Sequence, residues 1–159
     1  MDTKGSSADS STAAAASVEA ATINEMIEVL NDGKGFYSDA AQEVSRPDLK
    51  ALFGRMAEHK KQIVDELVVA VSALRETPST SSTFAGTMRK LYAELRTRMT
   101  SDKDHEYVAQ LEEFEDRILH TFEAAVTDAD DDTVRSIASK YINAVRQDHD
   151  LMRDLKTAH

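Results

Sequence analysis

The sequence predicts an all-α protein built as a four-helix bundle. Only 5 glycines and 2 prolines occur in 159 residues, while charged residues make up 30%, and this composition favours long helices over a turn-rich β fold. Four long segments repeat apolar residues at steps of three, four or seven, the spacing that lines one face of a helix. Because short connections join the first two segments and the last two, each pair is expected to form an antiparallel hairpin.

Composition and charge narrow the classes of function. The net charge is -10 and the pI is near 4.9, so nucleic acid and anionic lipid would repel the chain. There is no cysteine, hence no disulfide, which fits a reducing compartment. The N-terminus lacks the apolar region of a signal peptide, and no apolar run is long enough to cross a bilayer. We therefore expect a soluble, cytoplasmic protein with neither a nucleic-acid nor a membrane partner.

The N-terminal part divides into a leader and the start of the bundle. Residues 1–21 are rich in Ala, Ser and Thr and poor in large apolar side chains, so we expect a disordered leader, followed by one helical domain over residues 22–159. A capping-box sequence that begins at Thr22 places the start of helix 1 near Ile23. Pro47 ends this helix and opens the next one, since proline is tolerated only in a first helical turn.

The remaining chain predicts three long helices and one peripheral helix. Residues 77–103 form a linker long enough to pass from one end of the bundle to the other. Its apolar stripe from Phe84 to Met99 predicts a short extra helix and a candidate surface for oligomerisation. Acidic residues from Asp128 to Asp132 precede the last helix, where they would stabilise its positive end. The long helices are helix 2 over about 48–76, helix 3 from about Lys103 to Val126, and helix 4 over about 133–155.

Each long helix interrupts its apolar face at one polar step. The clearest is Glu115, which stands where the pattern requires a residue such as leucine, and a buried charge is costly unless it is paired or bound to a metal. Counted at about 1.5 Å per residue, the steps come within one or two turns of the same level and so predict a polar layer. Tyr37 and Tyr141 would lie near it, with the hydroxyl bonded to a neighbour. The four steps are Gly33 or Lys34, His59 or Lys60, Glu115, and Asp148 or His149.

Several short motifs carry a family resemblance. They are Ile27 to Gly33, Phe36-Tyr37 followed by Ala40-Ala41, Leu49 to Phe53, and Glu115-Asp116. With these motifs, the chain from about Thr22 to Leu155 resembles the ferritin-like four-helix bundles. It resembles more closely a bacterial family of small ferritin-like proteins, related to the rubrerythrins, that is known only as a domain of unknown function. The resemblance implies two antiparallel hairpins joined by a long crossover, and a link to stress responses.

The resemblance also implies what a metal centre would need. Di-iron members of the ferritin-like group use a Glu on helices 1 and 3 and a Glu-x-x-His pair on helices 2 and 4. Glu115 can take the helix 3 role. His59 follows Met56 at that spacing, and His149 likewise lacks the glutamate, while helix 1 offers only Asp32 near its apolar face. These are too few carboxylates to hold two ferrous ions, so an oxygen-activating di-iron oxidase or peroxidase is the weakest interpretation.

Two other interpretations of the polar layer stay open. In the favoured one, Lys34 and Lys60 pair with Glu115 and Asp148 across the core and fix the register of the helices. In the other, one zinc, copper or iron ion binds in the layer, because imidazole and carboxylate suit those ions. Its ligands would be His59, Glu115 and His149, with Asp32 or Asp148.

Two classes of function follow from these interpretations. The first is a non-enzymatic helical protein that needs no cofactor and acts by association with itself or with a protein partner. The second is a metal-binding or redox protein, holding iron or zinc, that descends from the di-iron bundles. The sequence contains no nucleophile motif, glycine-rich phosphate loop or paired-carboxylate hydrolase signature. An enzyme of a third class is therefore not expected.

Overall fold

The computed structural model describes residues 4–81, 85–98, 101–127, 129 and 131–158. Within these ranges, only the backbone is described for residues 4–12, 85–89 and 92. The helix is the only regular secondary structure in the described residues. No strand occurs among these residues, so the predicted fold class is confirmed at the level of an all-α protein. None of the helices there is long and apolar enough to cross a membrane. The elements are α1 (Lys4–Glu43), α2 (Pro47–Ala73), α3 (Ala85–Thr97), α4 (Lys103–Thr127) and α5 (Asp132–Thr157).

The first helix begins earlier than the sequence predicts. α1 starts at Lys4, so the predicted start near Ile23 is wrong, and the described part of the predicted leader is helical. The Thr22 hydroxyl donates to the Val18 carbonyl, 3.2 Å away and one turn back, instead of capping a free helix end. The alanines that make the leader poor in large apolar groups are also the best helix formers, and Ala20 packs in the core.

The other helix boundaries follow the local signals. α2 has Pro47 in its first turn, and α4 begins at Lys103 as predicted. α2 ends at Ala73, three residues before the predicted end. α5 is capped by Asp131, whose carboxylate accepts hydrogen bonds from the amides of Thr133 and Val134, the stabilisation expected of an aspartate at a helix N-terminus.

The long helices form two antiparallel pairs. Near the middle of α1, the Asn24 side chain donates to the carbonyl of Thr77, which follows α2. In the second pair, Lys156 near the end of α5 contacts Glu112 in the first half of α4, at 3.2 Å. α1 also packs against α4 and so joins the two pairs.

The segment between the pairs runs along α1 from the middle of this helix to its C-terminal end. The Asn31 side chain donates to the Ser81 carbonyl at 3.1 Å, and Arg96 of α3 contacts Glu43 at the far end of α1, at 3.4 Å. Asp104, in the first turn of α4, then accepts from the amide of Arg46 at 3.0 Å. Because the chain changes ends here, α2 and α4 run in the same direction.

The short helix is partly built into the core. Leu95 of α3 is buried, and Leu91 packs against the same apolar cluster. The structure does not describe Phe84, Met99 or the side chain of Met88, three residues of the predicted stripe. Oligomerisation through this stripe therefore stays a prediction.

The core consists of two apolar clusters with charged residues between them. The first cluster contains Leu30, Ile63 and Ile118, and the second begins at Phe36 on α1 and extends over Phe114 on α4. Tyr141 packs at the edge of the first cluster. In chain order, the buried polar residues fall between the two clusters on every long helix. They are Asp32, Lys60, Glu115 and Asp148.

Gly33→Ala and Gly35→Ala should differ in stability, although both positions lie inside α1. Outside its own helix backbone, a Cβ at Gly35 meets no heavy atom of the described residues within 4 Å, so helix propensity should raise the free energy of unfolding by about 0.5–1 kcal/mol. A Cβ at Gly33 would lie 2.9 Å from Ile118 Cδ1 and 3.7 Å from Lys60 Cε. Because buried side chains must then shift, Gly33→Ala should be less stable than Gly35→Ala by about 1 kcal/mol or more.

Urea unfolding of the two variants measures this difference. Gly54→Ala on α2 is the control, because a Cβ there also meets no described atom within 4 Å. Equal stabilisation at Gly33 and Gly35 would contradict the close approach of α1 to Ile118.

Candidate functional site

Lys60 lies at the centre of the buried polar layer. Its side chain is 0% exposed, and its Nζ is 2.7 Å from Glu115 Oε1 and 3.0 Å from Asp148 Oδ2. Its aliphatic part passes Gly33, where a Cβ would lie 3.7 Å from Lys60 Cε, an ordinary contact distance. The ion pairs predicted for Lys60 are confirmed, and one buried ammonium is shared between α4 and α5. Lys34, the other predicted partner, is only half-buried on α1.

Glu115 is fully buried and asymmetrically bonded. Its Oε1 accepts a hydrogen bond from the Tyr37 hydroxyl at 2.6 Å, as expected for a tyrosine near the layer. Its Oε2 is buried and accepts no hydrogen bond from the described residues. Burial raises the pKa of Glu115 although Lys60 and Tyr37 favour its charged form. Burial, together with the Glu115 charge, also holds the pKa of Tyr37 well above its ordinary value, so the phenol stays a donor.

His59 connects the layer to solvent. Its Nδ1 is 2.7 Å from Asp148 Oδ2, and its side chain is 36% exposed. The hydrogen bond to Asp148 raises the pKa of His59. Burial opposes ionisation of Asp148, but His59 and Lys60 outweigh it and lower the pKa of this carboxyl. With His59 protonated, two cations face the carboxylates of Glu115 and Asp148.

The predicted metal ligands do not all meet in one place. The layer around Lys60 contains Glu115, Asp148 and His59, whereas His149 faces α4. The His149 Nε2 is 2.7 Å from Asp116 Oδ1. Asp32 is buried on α1. Of the paired alternatives in the sequence, Lys60 and Asp148 therefore face the core.

A second cluster lies between α4 and α5, near the surface. Glu112, Asp116 and His149 each offer a ligand atom, and these atoms lie within 4.8 Å of one another. Sequence reasoning identified His149 but missed the two carboxylates. The available signal was their spacing of four residues on α4, which places both on one face of the helix.

The layer does not fit the di-iron centre that the ferritin-like resemblance implies. Such a centre needs several carboxylates to balance two dications. Here Glu115 and Asp148 are already bonded to Lys60, whose ammonium stands where a cation would bind. Tyr37 occupies the side of α1 that would supply a further carboxylate.

One family comparison identifies the chain. Residues 18–128 match the model of the family described as Domain of unknown function (DUF2383). The chain belongs to this family. The matched part of this DUF2383 protein includes Tyr37, Lys60 and Glu115, and it ends before α5, which carries Asp148. No curated protein and no solved structure matches the chain.

Lys60→Met should strongly destabilise this DUF2383 protein at neutral pH. Methionine keeps much of the side-chain volume, but Glu115 and Asp148 lose their buried cation, which typically costs about 3–5 kcal/mol. Adding Glu115→Gln to Lys60→Met should restore part of the loss, because it removes one uncompensated charge. Urea unfolding at pH 7 measures both effects.

The control for this substitution is the neighbouring Lys61→Met. The Lys61 side chain is 54% exposed and pairs with Asp65 at 3.2 Å, and such surface pairs contribute at most about 1 kcal/mol. If Lys60→Met cost no more than Lys61→Met, the ammonium would not hold the layer together.

The free energy of unfolding should fall as the pH rises above 6.5, the ordinary histidine pKa. The hydrogen bond to Asp148 raises the folded-state pKa of His59. At His149, burial opposes the charge, but Asp150 and Asp116 outweigh it and raise the pKa. Such groups stabilise the folded state fully below the unfolded pKa, and this contribution disappears as pH rises through the folded pKa.

Urea unfolding tests this pH dependence. It is measured between about pH 5 and 9, the range in which histidine changes its charge. His59→Gln and His149→Gln should each reduce the loss of stability with rising pH. Identical slopes in the parent protein and in the His59 and His149 variants would rule out raised histidine pKa values.

Proposed function

We propose that this DUF2383 protein is a non-enzymatic ferritin-like four-helix bundle that acts by association with itself or with a protein partner. In this proposal, a layer of ion pairs replaces the di-metal centre of the ferritin-like enzymes. One observation carries it: the ammonium of Lys60 is buried between Glu115 and Asp148, at 2.7 and 3.0 Å.

The topology supports the ferritin-like part of the proposal. Ferritin-like folds pack four helices with one long crossover connection. Here the antiparallel pair α1 and α2 is joined to the antiparallel pair α4 and α5 by a segment that runs along α1. Every long helix also contributes to the layer, as in metal-binding bundles. The connected side chains are Tyr37, His59, Lys60, Glu115 and Asp148.

The chemistry of the layer supports a role without redox catalysis at the centre. A metal ion bound there would have to displace the Lys60 ammonium, which has no access to solvent. If both cations stayed, a buried dication would lie against a buried ammonium, and like charges at that distance repel strongly in a poorly solvated interior. An ammonium bonded to two carboxylates also makes a poor nucleophile, because its nitrogen lone pair is protonated.

The charge of the chain supports a protein as the partner. With a net charge of -10, nucleic acid and anionic lipid surfaces repel it. The absence of cysteine agrees with the reducing bacterial cytoplasm as the place of action. A role in stress responses rests on the ferritin-like resemblance alone.

The alternative function is a metal-binding or redox protein that uses His59, Glu115 and His149. It requires Lys60 to leave the layer and His149 to turn away from Asp116. The contacts of these side chains favour the ion-paired core over this arrangement.

Metal analysis of the whole chain and of Glu115→Gln tests the proposal. After purification without chelator and anaerobic loading with ferrous iron or zinc, both proteins should contain the same amount of metal per chain. Glu115→Gln should only be less stable, because Lys60 keeps Asp148 as its single buried counter-charge. Exposure of the loaded parent protein to oxygen should oxidise ferrous iron no faster than buffer does.

Metal that binds stoichiometrically to the parent and is lost in Glu115→Gln would overturn the proposal in favour of a central metal site. Sedimentation velocity at high protein concentration tests self-association. A strict monomer would leave a protein partner as the proposed mode of action.

A further inference from the structure

We propose that the cluster of Glu112, Asp116 and His149 is a binding site for one divalent transition-metal ion. The site lies at the surface between α4 and α5, separate from the Lys60 layer, and neither the family nor the proposed function assigns it. The ligands are one imidazole and two carboxylates, a set that suits zinc and its first-row neighbours.

The backbone brings the three ligands together. Glu112 and Asp116 are one turn apart on α4 and therefore share a helix face, and His149 comes from the antiparallel α5. The three ligand atoms lie within 4.8 Å of one another. Ligand atoms about 2.0–2.2 Å from an ion are about 3–4 Å apart, so small side-chain rotations complete the site.

A carboxylate outside this set orients the histidine. The His149 Nδ1 is 3.0 Å from Asp150 Oδ1, which leaves Nε2 directed at Asp116. Histidines that bind metals almost always have the other ring nitrogen bonded to a carboxylate, a carbonyl or water, and this bond fixes the tautomer that coordinates through Nε2. Asp150 therefore holds His149 in a suitable orientation before an ion arrives.

Exposure separates this cluster from the buried layer. The side chain of Asp116 is 55% exposed, while those of His149 and Glu112 are 12% and 13% exposed. An ion can reach the cluster from water without unfolding the core. Three protein ligands also leave a coordination position for water or for another ligand.

An internal cation competes for the site. The ammonium of Lys156 lies 3.2 Å from Glu112 Oε2. The Lys156 side chain is 43% exposed, so it can move into water when an ion takes its place. Binding should therefore tighten when the Lys156 charge is removed.

Isothermal titration of the full chain with zinc chloride at pH 7.5, about one unit above the ordinary histidine pKa, tests the site. One ion should bind per chain. Asp116→Asn and His149→Ala should each weaken binding by at least about tenfold, the lower end of what a lost coordinating or orienting group typically costs. Lys156→Gln should strengthen it several-fold. Glu113→Gln, at an exposed residue on another face of α4, should bind as the parent does.

Cobalt loading gives a direct readout at the ligands. Cobalt(II) bound by His149 should give a visible absorption band that zinc abolishes and that Asp116→Asn reduces. Circular dichroism of each variant confirms that the helices are intact. Asp116 is more than half exposed, so Asp116→Asn keeps the test decisive if His149→Ala does not fold.

The outcomes separate this site from the Lys60 layer. Zinc binding that survives Glu115→Gln but not Asp116→Asn supports the surface site and leaves the proposed function intact. Zinc lost in Glu115→Gln and kept in Asp116→Asn overturns both proposals. Absence of saturable binding, or equal weakening by Glu113→Gln, overturns the surface site alone.

Discussion

The buried ammonium of Lys60 is the interaction on which the packing of the long helices depends. It bonds to Glu115 on α4 and to Asp148 on α5, and Glu115 also accepts from Tyr37 on α1. A buried charge that loses its partner is far more costly than a displaced apolar contact. Sliding any one helix by a turn would separate these groups, so the layer sets the register of the apolar clusters above and below it.

The same layer also limits what the centre of the protein can do. Its carboxylates Glu115 and Asp148 are already bonded to cations of the chain, and its glutamate is shielded from water. Among the described residues of the layer, the side chains of His59 and Asp148 are 36% and 12% exposed. The polar groups that would make a bundle reactive toward a metal are here bonded to each other, and this is the physical basis of the proposed structural role. Membership of DUF2383 assigns no activity.

Similar residue types have a different chemistry at the surface. Between α4 and α5, the cluster of Glu112, Asp116 and His149 contacts the exposed Lys156, not a buried ammonium. This cation can move into water, because the cluster is partly solvated. Both the Lys60 layer and the surface cluster consist of acidic and histidine side chains with a lysine. Solvent access, more than residue type, therefore distinguishes the layer, which holds its cation in the core, from the cluster, which can exchange its cation.

The sequence by itself determined the helical class, most helix boundaries and the polar step on α2, α4 and α5, because helix periodicity and caps are local properties. On α1 the buried charged residue is Asp32, not Lys34 at the predicted step. The sequence did not determine which of two adjacent residues faces inward at Gly33 or Lys34, His59 or Lys60, and Asp148 or His149. Neighbours differ by about 100° around a helix, and only packing against the partner helices decides between them. The early start of α1 and the carboxylates around His149 depend likewise on contacts between segments far apart in the chain.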